Sequence, residues 1–564
     1  MPFVRFLALI MLMMLSAAAR AQEEKKPAEL VVGKDGLRLD GKVAKEDKQR
    51  EYRFDVDGVP QRFKGRGQSH AVKLEADHRY TISADVARGE GNLDPVLIVH
   101  DPTGQAVAFD DDSGGGLNAR LEFQPRRTAV FDIHVAGLED TVGAYKLTIV
   151  SSIVNTVHIG FPARAFDPAD LSKSDTAWQI DWEITNPNNG LDKKATKPAS
   201  VLVIRSARFM FRDRYKKPRW WTVVKNLAVG EILVAYDKMD PVYLDVHENE
   251  FRLIPARSEY LGPACVLPGA ILDSRDERMS GRVLKEVHDD GLRWMNGANH
   301  ARRGEKMLLW ALLDADNYRY LLEYGFSDDG VISCRLGATA HSLFNRQKDQ
   351  RDIHLHVGCW RFDPELQEDA HTPKGGARHN QVLLVRRLPR TQAVNGIFKL
   401  DVSAFNPDET GQASEGYADW KPEEFTTLRV QSKVRKNSSK DPHFTALDLI
   451  PQRHGAVRNY PWKYAFANHD FWVTRRSPTQ PHFHEVPLYA QRSRPLDGTP
   501  VTIWHNAASW HVPRGEDYGN DGVTAKDGAA LTTWTGFALR PVNLFDSTPL
   551  YRDEKTTTTT TPPR

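Results

Sequence analysis

The sequence predicts an all-β protein built as two β-sandwiches of unequal size, a small one near the N-terminus and a large one behind it. Three observations carry that reading. Short runs of alternating apolar and polar residues recur along the chain, clusters of Gly, Asp and Asn separate them, and helical periodicity of any length is scarce. Many strands without intervening helices pack as antiparallel sheets, since parallel sheets need crossover helices. With 564 residues, the chain has the length of roughly two to four domains and room for a large core.

Residues 1–21 carry Arg5, an apolar run from Phe6 to Leu15, and Ala19-Arg20-Ala21 ahead of the charged stretch QEEKK. This reads as a signal peptide cleaved after Ala21, so the protein is expected to be exported, to the periplasm or beyond the cell. The apolar run is shorter than the ~20 residues of a spanning helix, and no other long apolar stretch follows, so no integral membrane span is expected. Residues 29–150 hold YTISADVA, DPVLIVHDPTG, AVFDIHVAG and AYKLTIV, the spacing of a small antiparallel sandwich. Residues 151–177, which contain prolines, are expected to be a linker. Residues 178–551 are richer in Trp and again strand-like, as in VLVIRSARFMF, MLLWALLDA, YRYLLEYGF, VISCRLGAT and NQVLLVRRL, and predict the large sandwich. The tail 552–564, with Thr556 to Thr561 followed by PPR, has nothing to bury and is expected to be disordered.

Lys and Arg number 76 against 74 Asp and Glu, a balance that gives no electrostatic case for nucleic acid or an anionic membrane. Three cysteines, Cys265, Cys334 and Cys359, are too few for a disulfide framework, and at least one is expected to be a buried thiol packing as a small apolar residue.

The chemistry concentrates in IHLHVG. Ile353, Leu355 and Val357 alternate with His354, His356 and Gly358, so on a strand both imidazoles point one way and can converge on an ion such as copper or zinc. A second pair, His482 and His484, sits between prolines in TQPHFHEVP and reads as a loop feature. Two imidazoles rarely hold a transition metal tightly, and His511 in WHVPRGED is the candidate third ligand. Three histidines alone also fit zinc hydrolysis. Tyr318 and Tyr320, taken alone, read as core aromatics.

Several segments then occur in one order: AWQIDWEIT, VAYDKMDPVYLDV, EVHDDGLRW, ADNYRYLLEYGFSDDGVISCRLGAT, HLHVGCWRFD, NHDFWVT, WHVPRGED and GFALRPVNLFDSTPLY. From about Trp178 to Tyr551 this pattern resembles the catalytic domain of the copper amine oxidases. The resemblance implies that Tyr318, in Asn-Tyr-x-Tyr, is the precursor of a topaquinone cofactor, and that His354, His356 and His511 hold copper. It also implies Asp245 as the catalytic base, Tyr236 as the tyrosine bonding the quinone, and Asn317 as a residue orienting its ring. The implied activity is oxidation of a primary amine by dioxygen to aldehyde, ammonia and hydrogen peroxide. A phenol beside copper is oxidised by dioxygen without another enzyme, so no separate organic cofactor is required. The family is dimeric, which implies a homodimer.

The stretch GNLDPVLIVHDPTGQAVAFDDDSGGG closed by YKLTIV resembles the bacterial pre-peptidase C-terminal domain, a module that implies contact with a surface or polymer. Its Asp110, Asp111 and Asp112 read as a solvated loop or a calcium site. Some positions depart from the oxidase pattern. Arg319 replaces an acidic residue after the tyrosine, where a cation beside a quinone would change substrate charge preference or cofactor acidity, and Asp314 replaces a threonine or serine. Asp363 matches a peripheral calcium ligand, but Pro500 stands where another acidic ligand is expected, so that calcium is not predicted. Cys265 matches half of the family's disulfide, and the partner position near Val287 is not cysteine. Two alternatives remain at this point: a secreted non-catalytic binding protein that keeps the oxidase fold, and a copper or zinc protein with an unmodified tyrosine.

Overall fold

In the computed structural model the described residues run from 29 to 545, excluding 34–35, 57–58, 111–116, 186–199, 237–241, 247–251, 296–300, 316–317, 341–352, 369–379, 388–399, 438–440, 453–461, 477–482, 513–529 and the single positions 77, 126, 169, 214 and 276. The signal peptide, the threonine-rich tail, Asp111, Asp112, His482 and Asn317 therefore lie outside the described residues. Among the described residues no helix is long and apolar enough to cross a membrane.

The chain divides into two compact units, with the boundary after Ser152. In the smaller unit, one sheet includes Val59–Leu74, Ala129–Gly137, Pro95–His100 and Ala106–Asp110, and the other contains Leu37–Val43, Gly143–Ile153, His78–Gly91 and Ala119–Phe123. Val72, Leu97, Ile133 and Val135 meet Tyr80, Ile82, Leu121, Leu147 and Ile149 in one core. That is the expected sandwich. Asp110 uses its carboxylate to accept from the backbone N–H of Arg120 at 2.7 Å.

The expected linker 151–177 is corrected by the structure. Asn155–Phe161 forms a strand paired antiparallel with Thr176–Thr185 in the larger unit. Val157, Ile159 and Phe161 alternate into the core, which is reason enough for the segment to order.

The larger unit consists of two sheets. One runs in the order Asn155–Phe161, Thr176–Thr185, Val201–Arg212, Pro218–Tyr236, His354–Glu368, Val501–His511, Phe471–Arg475 and Gly416–Ala418, with Val242–Leu244 paired beside Pro218–Tyr236. The other includes Val283–Met295, Ala301–Ala315, Tyr318–Ser327, Ile332–Ala340, Ala530–Val542, Phe444–Pro451 and Thr427–Lys436 in that order. Their strands are rich in Val, Ile, Trp, Tyr and Phe, residues that fit a pleated buried surface.

Contacts between the sheets are aromatic. The ring of Tyr324 meets Trp360 at 5.8 Å and 88°, and Trp178 meets Phe326 at 5.4 Å and 62°. Polar ends are bonded across the same gap, Trp178 Nε1 donating to Ser327 O and Tyr324 Oη to Leu202 O. Each such aromatic contributes roughly 1.5–3 kcal/mol of burial, so the two sheets hold a rigid frame between them. Gly358 marks a close approach, because a Cβ there would stand 2.9 Å from Leu336 Cδ2 of the facing sheet.

Candidate metal centre

The strand His354–Glu368 is covered on both faces. His354, His356, Trp360 and Phe362 turn toward the other sheet, while Leu355, Val357 and Cys359 pack with Phe466, Trp472, Phe483 and Trp504. Strand register then assembles the site. Tyr236 pairs with His354, and His354 pairs with His511, so three neighbouring strands place these residues in one row. His356 lies two residues along, on the same face.

Tyr318 arrives from the facing sheet at the start of its strand. Its hydroxyl lies 2.6 Å from His354 Nε2 and 2.8 Å from His511 Nδ1, and those two nitrogens are 3.2 Å apart. One donor atom from each of His354, His356 and His511 lies within 4.8 Å of the others, and all three residues are buried. The Tyr318 ring stands edge-on to His356, centroids 4.5 Å apart. Tyr236 stacks on His354 at 4.6 Å and 21°.

Tyr320, two residues beyond Tyr318 on the same face, joins this cluster, although its aromatic neighbours in sequence suggest only core packing. Its hydroxyl donates to Asp245 Oδ2 at 2.6 Å and lies 3.0 Å from His356 Nδ1. A phenol has one proton to give. With that proton on Asp245, His356 must donate from Nδ1 to the phenol oxygen, which leaves the lone pair on Nε2. That Nε2 is buried and has no hydrogen-bond partner. Burial, followed by the neighbouring His354 and His511, holds the His356 pKa well below the ordinary imidazole value, so the ring stays neutral and able to bind metal. Burial and then Asp245 raise the Tyr320 pKa far above the usual phenol value, keeping its proton in place.

Asp245 is itself fixed. It follows Val242–Leu244 and is buried, and its N–H donates to Ile232 O at 2.9 Å. Glu231 braces the same turn by accepting from Val246 N at 2.9 Å. The shared i, i+2 spacing of Tyr318–Tyr320 and His354–His356 was the signal by which Tyr320 could have been recognised. His484 lies in the 3-10 turn Phe483–Glu485, in edge contact with Phe466 at 5.1 Å.

The sequence profile of the copper amine oxidase enzyme domain matches residues 279–560. This chain belongs to the copper amine oxidase family. Among its relatives, the histamine oxidase of Arthrobacter globiformis is 31% identical over 384 residues, covering 59% of this chain and 52% of the relative. The peroxisomal copper-containing diamine oxidase 1 of Nicotiana tabacum is 22% identical over 438 residues, covering 69% and 52%. The chain thus spans about half the length of these curated relatives. Among solved structures it is similar to a copper-containing benzylamine oxidase from Hansenula polymorpha, at TM-score 0.46 and 17% identity over 61% of this chain and 59% of that one. The pre-peptidase C-terminal domain of a Bacillus anthracis collagenase matches 22% of this chain and 99% of its own length at 11% identity and TM-score 0.16.

The residues present suit the copper of this family. Three imidazoles form a nitrogen donor set appropriate to copper, the orphaned Nε2 of His356 supplies a lone pair needing a partner, and Tyr320 and Asp245 form the outer support that ligating histidines generally require.

Two positions that depart from the copper amine oxidase pattern compensate one another. Arg319 pairs in register with Asp314 on the neighbouring strand, and the two form an ion pair at 2.6 Å. Strand alternation sends Arg319 to the face opposite the Tyr318 and Tyr320 rings, where it is partly exposed and donates to the backbone oxygen of Tyr318 at 3.1 Å, so the expected cation beside the tyrosine meets its main chain and not its ring. Asp363 is also accounted for. It accepts from Asn226 Nδ2 at 2.8 Å and from Thr502 Oγ1 at 2.7 Å, with the Arg476 guanidinium at 3.5 Å. All three cysteines are free thiols.

Proposed function

We propose that the protein is an exported primary-amine oxidase that uses copper and a topaquinone derived from Tyr318, and that works as a homodimer. The observation that carries this reading is the Tyr318 hydroxyl lying within hydrogen-bond distance of both His354 and His511, between three buried imidazoles. A tyrosine serving as core packing would have its hydroxyl satisfied by backbone or solvent; here its partners are two histidines of a metal-binding set.

His354, His356 and His511 would hold copper, which when bound supplies a Lewis-acidic, redox-active centre for oxidising the phenol with dioxygen. The protein's own part is orientation and proton handling. Tyr236 fixes the plane of the His354 ring from behind, Tyr320 fixes the tautomer of His356, and the packed sheets exclude bulk water from Tyr318. Asp245 is the carboxylate proposed to remove the α-proton of the bound amine, joined to the site through Tyr320. Asn317 is proposed to orient the cofactor. The net reaction is amine, water and dioxygen to aldehyde, ammonia and hydrogen peroxide. The N-terminal sandwich is proposed to contact a surface or polymer.

The experiment is reconstitution. Metal-free protein given copper in air should develop a quinone absorption band, react with phenylhydrazine and release peroxide with some primary amine, and Tyr318→Phe should do none of these. Copper binding without band or peroxide in the wild type would leave a binding protein on an oxidase fold.

A further inference from the structure

A second cluster of metal-binding groups lies in the larger unit and takes no part in the centre described above. Glu286 and His288 flank Val287 on the strand Val283–Met295. Val287 is buried in the core, so its two neighbours share the opposite face. Cys265 reaches the same place from the segment entering Leu267–Leu272, which is registered against the strand by Val266 N donating to Val287 O at 2.7 Å.

The donor atoms converge. His288 Nε2 lies 2.8 Å from Glu286 Oε2 and 3.8 Å from Cys265 Sγ, and one donor from each residue lies within 4.8 Å of the others. The remaining oxygen of Glu286, Oε1, accepts from Gly262 N at 2.5 Å, which orients the carboxylate with Oε2 toward the imidazole. Gly262 faces all three groups: a Cβ on it would lie 3.6 Å from Glu286 Oε1, 3.6 Å from His288 Cε1 and 3.8 Å from Cys265 Sγ.

Two chemistries can use a thiol, an imidazole and a carboxylate. In a nucleophilic relay the imidazole takes the thiol proton on one nitrogen and leans on the carboxylate with the other. Here the carboxylate meets Nε2 of His288 at 2.8 Å, and the sulfur of Cys265, which donates to Gly262 O at 3.1 Å, lies 3.8 Å from that same nitrogen. That is convergence on a point, as around an ion, and not a relay through the ring.

We propose that Cys265, Glu286 and His288 form a second metal site, for a borderline-soft divalent ion with zinc foremost. Thiolate, imidazole and carboxylate are all zinc ligands, at about 2.3, 2.0–2.1 and 2.0–2.2 Å. Around a tetrahedral ion those lengths put sulfur and nitrogen about 3.6 Å apart and nitrogen and oxygen about 3.4 Å apart, so movements of about half an ångström at side-chain tips complete the site. Glu286 is buried, whereas Cys265 and His288 are partly exposed, which gives the ion an entry path and leaves its fourth position to water. Holding two segments that lack a covalent link, the ion would tie the stretch before Leu267 to the strand behind it.

The test is titration of the metal-free full-length chain with cobalt(II), a spectroscopic stand-in for zinc. The wild type should show thiolate-to-cobalt charge transfer that saturates by two equivalents per chain, the three-histidine centre taking the other, and excess zinc should bleach it. The three-histidine centre has no thiolate and is silent in this band. Cys265→Ser should abolish the band, and His288→Gln should weaken cobalt binding at this site by roughly a hundredfold or more, at the upper end of what outer-shell losses already cause. A second measurement needs no substitution. Cys334 and Cys359 are fully buried, so a thiol reagent reports on Cys265, and zinc at roughly ten times its Kd should slow the reaction about tenfold. Absence of the charge-transfer band in the wild type, its persistence in Cys265→Ser, or a thiol reaction rate indifferent to zinc overturns the site.

Discussion

Replacing Tyr320 with Phe tests the tautomer argument with little disturbance to packing. The ring stays in its fully buried position, and what disappears is the hydroxyl that donates to Asp245 at 2.6 Å and receives His356 Nδ1 at 3.0 Å. The bond to a carboxylate is worth roughly 1.5–3 kcal/mol. Loss of an outer-shell partner that fixes a ligating histidine typically weakens metal binding by about ten- to hundredfold, equivalent to about 1.4–2.8 kcal/mol of affinity. The assay is competition for copper against a chelator of known affinity, with wild type and Tyr320→Phe compared metal-free at the start. The expected result is a Kd raised ten- to hundredfold, as above, with Tyr318 still present. Tyr324→Phe is the matched control: Tyr324 lies on the same strand face as Tyr320, but its hydroxyl donates to Leu202 O of the facing sheet, so the change should cost about 1 kcal/mol of stability and leave copper affinity unchanged. Equal copper affinity in wild type and Tyr320→Phe would refute the claim that this phenol sets the state of His356.

Further outcomes follow from other parts of the structure. Asp245→Asn should retain copper and cofactor formation but lose amine turnover; loss of copper together with turnover would make Asp245 a positioning residue, read from metal content and steady-state rates together. Arg319→Gln should leave both copper affinity and the quinone band intact and cost at most about 1 kcal/mol in thermal unfolding, because an exposed ion pair contributes little; collapse of the band would place Arg319 in the site after all. Burial, then the charge on His100, lowers the His134 pKa from 6.5 to about 4. The unfolded chain therefore binds this proton first as pH falls, so stability is full above about 6.5 and declines between there and about 4, by roughly 2 kcal/mol at pH 5 relative to neutral. Denaturant unfolding across that window should lose up to about 1.4 kcal/mol per pH unit from this group, and His134→Phe should flatten the slope by that amount; an unchanged slope would contradict the assignment.

The sequence disclosed those features that depend on periodicity. Alternation in IHLHVG predicted that His354 and His356 share a face, and the same period now explains why Arg319 does not share the face of Tyr318. What it could not disclose was pairing between distant strands. That His354 lies opposite His511 and beside Tyr236 is a matter of register across three strands, which no local pattern records. Asn155–Phe161 was missed because prolines nearby suggested a linker, while Val157, Ile159 and Phe161 were sufficient to make it a strand once a partner was available. Tyr320 was absorbed into the core by its aromatic neighbours; its role became visible only with Asp245 in place, since a buried phenol is read by what its hydroxyl touches. The cluster of Cys265, Glu286 and His288 was divided in the same way, its thiol on one segment and its other two groups on another.

The central claim is that the Tyr318 phenol sits where bound copper would have it oxidised. Mass analysis of the Tyr318 peptide after metal-free protein is exposed to copper and air addresses this at the level of one side chain. A gain of oxygen confined to Tyr318, absent when copper is withheld and absent in His511→Ala, is the predicted result. An unmodified Tyr318 in protein shown to have bound copper through these histidines would contradict it.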